Sequence, residues 1–316
     1  MDILLCGDFR PGELTAWRAA LAAAMPEARW LDLAQAHQTA ATVRAAVVAG
    51  PAPGQLQGLP QLGLVQSLWA GVDRVLADTT LPADVPLARM VDPMMSAAMA
   101  QTALWAVLAL HRGFFAYAQR QRQGQWRTHV QRRASAIGVT VLGMGHMGRA
   151  AAQAIAQMGY RVQGWRSAAL RHDAAPVDWP VHSGNAALRA LLPHTDVLVN
   201  LLPLTPATRG LLDARLFAAL APHASVVNLA RGAHVVDADL LQALASGQLR
   251  HAVLDVFHQE PLPAGHAYWT HPQVTLLPHV AALTDVASAA SVAAANLRAL
   301  RDGAPLQHLV ERRRGY

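Results

Sequence analysis

The sequence predicts an α/β protein of mostly parallel sheets, divided into two domains. Three observations predict it. Short apolar runs alternate with helical patterns throughout the 316 residues, as repeated strand–helix–strand units require. Residues 139–168, VTVLGMGHMGRAAAQAIAQMGYRVQGWRSA, order a strand, a glycine turn, a helix and a second strand. The composition, 53% hydrophobic and 15% charged, supports a large core and excludes a disordered chain.

The elements follow in order. The opening MDILLCGDF carries an early Asp and no basic flank, so it reads as a first strand over 3–6 and not as a signal peptide. Further strands are expected at 45–48 and 64–67, with helices at 14–24 and 73–77. This first section ends near Val91-Asp92-Pro93. A long helix is expected from 94 to 121, stopped by Gly124, with Ala98, Thr102, Trp105, Ala106 and Leu110 as its packed face. Beyond the glycine unit, strands are expected at 196–201, 225–229, 252–256 and 274–277, and helices at 185–192, 214–220 and 237–246. Asp237 reads as an N-cap and Gly247 as a C′ residue. A last helix over 285–300 is expected to return to the first domain. The expected division is therefore 1–92 with 287–316 as one, discontinuous domain and 93–286 as the other. Two crossings between two domains predict a cleft able to close on a ligand.

Charge and cysteine content narrow the partners. The net charge is +6, but the arginines are scattered and the one dense cluster, Arg312 to Arg314, reads as a solvated tail. No nucleic-acid partner is expected. No uninterrupted apolar run has transmembrane length, so no membrane is expected either. Cys6 is the only cysteine, which rules out an internal disulfide and agrees with a reducing cytoplasm. His258, His266 and His271 cluster in sequence but lack carboxylate ligands beyond Glu260, so no metal site is expected.

The glycine unit points to a dinucleotide. Gly143, Gly145 and Gly148 have the G-x-G-x-x-G spacing of the Rossmann turn. The first permits the tight turn, the second removes a side chain from the path of a pyrophosphate, and the third lets helix and strand pack closely. The N–H groups of His146 and Met147 open the helix, where its dipole favours an anion. Met147, Ala151, Ile155 and Met158 supply its apolar face. The second strand ends in Trp165-Arg166-Ser167. Arg166 stands 18 residues past Gly148, where NAD-binding sequences place a carboxylate for the ribose hydroxyl. A cation and the Ser167 hydroxyl suit a 2′-phosphate instead, and Arg171 offers a second cation. NADP is therefore the expected cofactor, with NADPH preferred over NADH.

Three polar residues follow strand ends in the second domain: Arg231 in VVNLARGA, Glu260 in LDVFHQEPLP and His279 in VTLLPHVAAL. Open parallel sheets bind ligands beyond the carboxyl ends of their strands, so the three are expected to converge. Together they suit reduction of a 2-oxo acid. His279 gives a proton, Glu260 fixes its tautomer, and Arg231 holds the substrate carboxylate and polarises the carbonyl.

In this order after GMGHMG, the strings VVNLARGAHVVD, LDVFHQEPLP and LLPHVAALT resemble the D-isomer-specific 2-hydroxyacid dehydrogenase family, in its bacterial glyoxylate/hydroxypyruvate reductase A branch. The likeness covers nearly the whole chain. It implies a smaller flavodoxin-like substrate domain beside the doubly wound Rossmann cofactor domain, and a dimer built through the cofactor domains. It implies that Asp255 holds the nicotinamide carboxamide and that Leu202, Pro203, Leu204 and Thr208 line the cofactor groove. It also implies that amides around Ala70 and Gly71 bind the substrate carboxylate, with Trp69 narrowing the pocket; unaided, Trp69 reads as core packing. Gln101 stands where relatives commonly have Glu.

The expected function is NADPH-dependent reduction of glyoxylate to glycolate and of hydroxypyruvate to D-glycerate. Two rivals remain at this point. One is a non-catalytic, nucleotide-sensing corepressor on the same fold. The other is a related dehydrogenase of a different acid, such as a phosphonate or a longer 2-oxo acid.

Overall fold

The computed structural model describes residues 1–167 and 177–316; Arg171 lies outside the described residues. The chain divides into two compact units, Met1–Met95 with Thr284–Tyr316, and Ser96–Leu283.

The first unit holds a five-stranded sheet of β1 (Asp2–Gly7), β2 (Arg29–Leu31), β3 (Val43–Ala49), β4 (Leu64–Ser67) and β5 (Leu87–Ala88). The spatial order is β2-β1-β3-β4-β5, with every pair parallel. That is the flavodoxin-like order. β3 and β4 are buried almost throughout because both sheet faces are covered. Leu4, Leu31, Val48, Val65, Val75 and Leu87 meet in the core of this unit. The C-terminal helix Val286–Asp302 packs on helix Glu13–Ala24 and on β4. Its N-cap is Asp285, which accepts from the Ser288 N–H at 2.8 Å.

The second unit holds seven parallel strands: β6 (Gly138–Leu142), β7 (Arg161–Arg166), β8 (Val181–Ser183), β9 (Val197–Asn200), β10 (Ala224–Asn228), β11 (Leu249–Leu254) and β12 (Val274–Leu276). They run in the order β12-β11-β10-β9-β6-β7-β8. This is the doubly wound Rossmann order with one further strand, and it reverses between β6 and β9. β6, β9 and β10 are buried along their whole length, which is why they read as continuous apolar runs.

Several expectations need correction. β2, β5 and β8 have two or three residues each, too short to leave a periodic signal. The long helix is two helices, Pro93–Arg112 and Phe114–Arg122, because Gly113 adopts φ 72° between them. Its packed face is Met99, Ala103, Ala106, Val107 and Leu110, while Trp105 is 41% exposed. Met158 is likewise half exposed. Asp237 is the first helical residue and not the cap, which is Val236. The Asp237 carboxylate accepts instead from the Tyr268 hydroxyl at 2.8 Å. Helix Pro93–Arg112 is long and apolar enough to cross a membrane by length and composition alone, although Gln101, Thr102 and His111 interrupt its apolar run. Its buried Met99, Ala103, Ala106, Val107 and Leu110 belong to the core of the seven-stranded unit.

Candidate active site

The glycine turn takes the shape its spacing predicts. Gly143 has φ 95°, and a Cβ there would stand 2.5 Å from the Leu201 carbonyl oxygen. At Gly148 a Cβ would lie 1.7 Å from the Gly143 carbonyl oxygen, so helix His146–Gln157 packs directly on the turn. Around Gly145 nothing lies within 4 Å of the Cβ position. That open space, at the N-terminal end of a twelve-residue helix, fits an approaching phosphate. The Gly143 N–H donates to the Trp165 carbonyl at 2.8 Å, which sets the end of β7 beside the turn. Half-buried Arg166 and exposed Ser167 follow. Trp165 itself is 2% exposed, and its indole donates to the Gly184 carbonyl at 2.9 Å. Its ring belongs to the core, which leaves the charged and hydroxyl groups to Arg166 and Ser167.

The loop after β9 is held from within. The Thr208 hydroxyl donates to the Pro203 carbonyl at 2.7 Å and accepts from the Thr205 N–H at 2.8 Å. Thr208 and Leu202 are buried, and Pro203 and Leu204 half-buried. Thr208 therefore shapes the loop around Leu202, Pro203 and Leu204.

Arg231, Glu260 and His279 lie in loops after β10, β11 and β12. The His279 Nδ1 is 2.6 Å from Glu260 Oε2. The other Glu260 oxygen accepts from the Phe257 N–H at 2.9 Å. Gly232 brings the Arg231 loop against the same segment, since a Cβ on it would lie 2.0 Å from the Phe257 carbonyl carbon. Burial pushes the Glu260 carboxyl up, but the His279 and Phe257 hydrogen bonds and the charges of His279 and Arg231 outweigh it, leaving the carboxyl below its ordinary value. The Arg231 guanidinium also donates to its neighbouring Ala230 carbonyl at 2.7 Å. His279 and Glu260 thus pair beyond the strand ends, and Arg231, on the neighbouring loop, lies near enough for its charge to act on Glu260.

Asp255, at 1% exposure, ties this end together. Its carboxylate accepts from the N–H groups of Val280 at 2.7 Å and Ala281 at 3.0 Å. Its carbonyl accepts from the His279 N–H at 2.9 Å. Burial raises its carboxyl above the ordinary value against these hydrogen bonds. Asp255 therefore clamps the turn in which His279 adopts φ 57°, a left-handed conformation that needs such support. His258 bonds to the Val235 carbonyl at 2.9 Å. No three His, Cys, Asp or Glu side chains among the described residues form a metal-holding group.

In the other unit, Trp69 follows β4. Its N–H donates to the Ser67 hydroxyl and its carbonyl accepts from the Met90 N–H, both at 3.0 Å. The Arg74 guanidinium stands 6.0 Å from the ring centre, within cation–π range. Ala70 and Gly71 complete the turn before helix Asp73–Leu76.

Sequence reasoning missed Asn200 and Asn228, which end β9 and β10 and are fully buried. Their signal is a polar residue closing an otherwise apolar run.

Comparison with known proteins gives a consistent result. The model of the D-isomer specific 2-hydroxyacid dehydrogenase NAD binding domain matches residues 104–281. The chain is 41% identical over 268 residues to glyoxylate/hydroxypyruvate reductase A of Serratia proteamaculans, covering 83% of this chain and 82% of that relative. A D-isomer specific 2-hydroxyacid dehydrogenase from Xanthobacter autotrophicus Py2, solved with NADPH and MES, superposes with a TM-score of 0.92 at 37% identity, covering 100% of this chain and 99% of that one. An NADPH-dependent glyoxylate/hydroxypyruvate reductase from Sinorhizobium meliloti, solved with NADP and sulfate, gives 0.89 at 37% identity, again covering 100% and 99%.

Proposed function

The chain belongs to the D-isomer specific 2-hydroxyacid dehydrogenase family, and from that premise we propose that it reduces small 2-oxo acids with NADPH, glyoxylate and hydroxypyruvate foremost. The observation that carries this reading is the 2.6 Å pair of His279 and Glu260 on the sheet end that also bears Arg231. A module that only sensed a nucleotide would need the glycine turn but no proton donor. The names of the Serratia and Sinorhizobium relatives favour these two acids.

When bound, NADPH supplies a hydride equivalent. The chain's own groups do the rest. Arg231 binds the substrate carboxylate and draws charge from the carbonyl oxygen. Glu260 engages Nδ1 of His279, so Nε2 is the atom that gives the proton to that oxygen. Leu202, Pro203, Leu204, Thr208 and Asp255 belong to the cofactor side. The other unit is the substrate domain, where amides around Ala70 and Gly71 receive the acid and Trp69 limits its size. A panel of 2-oxo acids assayed with both cofactors tests the proposal. Glyoxylate and hydroxypyruvate should lead, and about a tenfold preference for a bulky aromatic oxo acid would overturn it.

Cofactor choice rests on Arg166 and Ser167 beside the glycine turn. Loss of one charge-assisted hydrogen bond is worth about 1.5–3 kcal/mol, so Arg166→Ala should raise the NADPH Michaelis constant at least about tenfold. The NADH value should hardly move, and equal changes in both would refute the assignment.

The same proposal includes a homodimer and a cytoplasmic location. Trp105, Phe114, Trp126 and Val130 are 41%, 54%, 100% and 90% exposed, an apolar load that a lone subunit leaves in water. Light scattering should give twice the chain mass, and Trp126→Glu with Val130→Glu should give the single mass. The compartment reading rests on the single cysteine, Cys6, which leaves no internal disulfide to form.

A further inference from the structure

We propose that Asn200 and Asn228 form one positioning device that fixes the backbone of Arg231 relative to the cofactor groove. The inference rests on the role given to Arg231 above.

The two residues are register partners at the ends of the parallel strands β9 and β10. Their side chains meet, with Asn200 Nδ2 donating to Asn228 Oδ1 at 3.0 Å. Each amide then folds back on its own loop. Asn200 Oδ1 accepts from the Leu202 N–H at 3.3 Å, at the start of the groove. Asn228 Oδ1 also accepts from the Ala230 N–H at 3.2 Å, and its Nδ2 donates to the Arg231 carbonyl at 2.9 Å. The main chain continues the row, with the Leu229 N–H on the Asn200 carbonyl and the Asp255 N–H on the Asn228 carbonyl. The Asp255 carbonyl in turn holds the His279 N–H.

These bonds define both amide orientations. Turning Asn228 over would set its oxygen against the Arg231 carbonyl and its NH2 against two donors. Both side chains are 0% exposed, so water cannot replace a lost partner. Purely structural strand ends do not require amides: the Leu254 end of β11 and the Leu142 end of β6 are apolar. Asn appears on the two neighbouring strands whose following loops carry the groove and Arg231. Asn228 touches no reacting atom; it acts through Arg231 and is a positioning residue.

Asn228→Asp keeps the shape but replaces the donor facing the Arg231 carbonyl with an acceptor. Asn200→Asp keeps the acceptor for Leu202 and removes the donor to Asn228, until the new carboxyl takes a proton and can donate again. Three readouts are needed: kinetics with glyoxylate and NADPH between about pH 5 and pH 8, NADPH titration by fluorescence, and peptide-resolved amide exchange. For Asn228→Asp, kcat/KM for glyoxylate should fall about ten- to a hundredfold, while NADPH affinity stays within about twofold. Exchange over residues 229–234 should accelerate, and over 277–283 it should not. For Asn200→Asp, activity relative to the parent enzyme should recover as pH falls. The proposal is overturned by activity within about threefold of the parent, by faster exchange without loss of turnover, by a loss that follows NADPH affinity, or by a pH-independent ratio in Asn200→Asp. Failure of both variants to fold would overturn it too, by assigning the pair to stability. If the parent protein reduces no 2-oxo acid, the proposed function fails, and exchange over 229–234 still decides the positioning role.

Discussion

Replacing His279 with alanine should remove turnover while leaving NADPH binding intact. General acid catalysis contributes about 10²- to 10⁴-fold, so kcat/KM for glyoxylate should fall by about three orders of magnitude. The fold should tolerate the change. His279 sits at φ 57°, but a Cβ is present before and after, so alanine adds no new strain. His279→Asn provides a control, because asparagine enters the left-handed region more readily and gives no imidazole proton. Both variants should quench and titrate NADPH like the parent; turnover within about tenfold of the parent in either would remove His279 from the chemistry. Glu260 sets the acid side of the pH profile. Its carboxyl lies below the ordinary glutamate value of 4.5 in the fold, so the support it gives the His279 loop is complete above that value and is lost as pH falls through the lowered one. The parent enzyme should therefore keep the His279–Glu260 pair intact as the solution is acidified to the ordinary glutamate value, and lose it only below.

The residues that sequence could identify share one property: their chemistry does not depend on neighbours far along the chain. Gly143, Gly145 and Gly148 announce a backbone shape, and the structure gives that shape. β6, β9 and β10 are buried on both faces, so they appear as unbroken apolar runs. Arg231, Glu260 and His279 stand out as polar groups just past such runs, where a parallel sheet collects ligands. What stayed hidden depends on packing between distant segments. Trp165 closes a strand whose end lies beside the glycine turn, yet its indole turns into the core toward Gly184. Trp105 shares the spacing of its helix's buried face but remains 41% exposed. Asp237 looks like a helix cap, but the Tyr268 hydroxyl, 31 residues away, claims its carboxylate. Gly113 carries no mark that separates it from a tolerated helical glycine; its positive φ, with His129 packed against it, ends the helix. The Asn200–Asn228 pair depends on the register of two strands, which no single run of residues encodes.

Two alanine substitutions in the glycine turn should have opposite consequences, and the contrast separates cofactor contact from fold. Gly148→Ala places a methyl 1.7 Å from the Gly143 carbonyl oxygen. The oxygen is backbone and the methyl is fixed rigidly to the helix backbone, so helix His146–Gln157 must move away from the turn after β6. Overpacking of this kind costs about 1–3 kcal/mol or more, which for a unit the size of Ser96–Leu283 lowers its Tm by about 3–8 °C. Gly145 differs in each respect. Its φ is −79°, which any residue adopts, and nothing lies within 4 Å of its Cβ position. Gly145→Ala should therefore melt within about 2 °C of the parent, because the methyl enters open space. That space is where a pyrophosphate must approach the first helical N–H groups. Pushing the phosphates outward weakens hydrogen bonds to a charged group, each worth about 1.5–3 kcal/mol, so the NADPH dissociation constant should rise at least about tenfold. Calorimetry and a fluorescence titration on the two proteins are sufficient. Unchanged NADPH affinity in Gly145→Ala would mean that the cofactor does not lie over this turn, whatever its sequence spacing suggests.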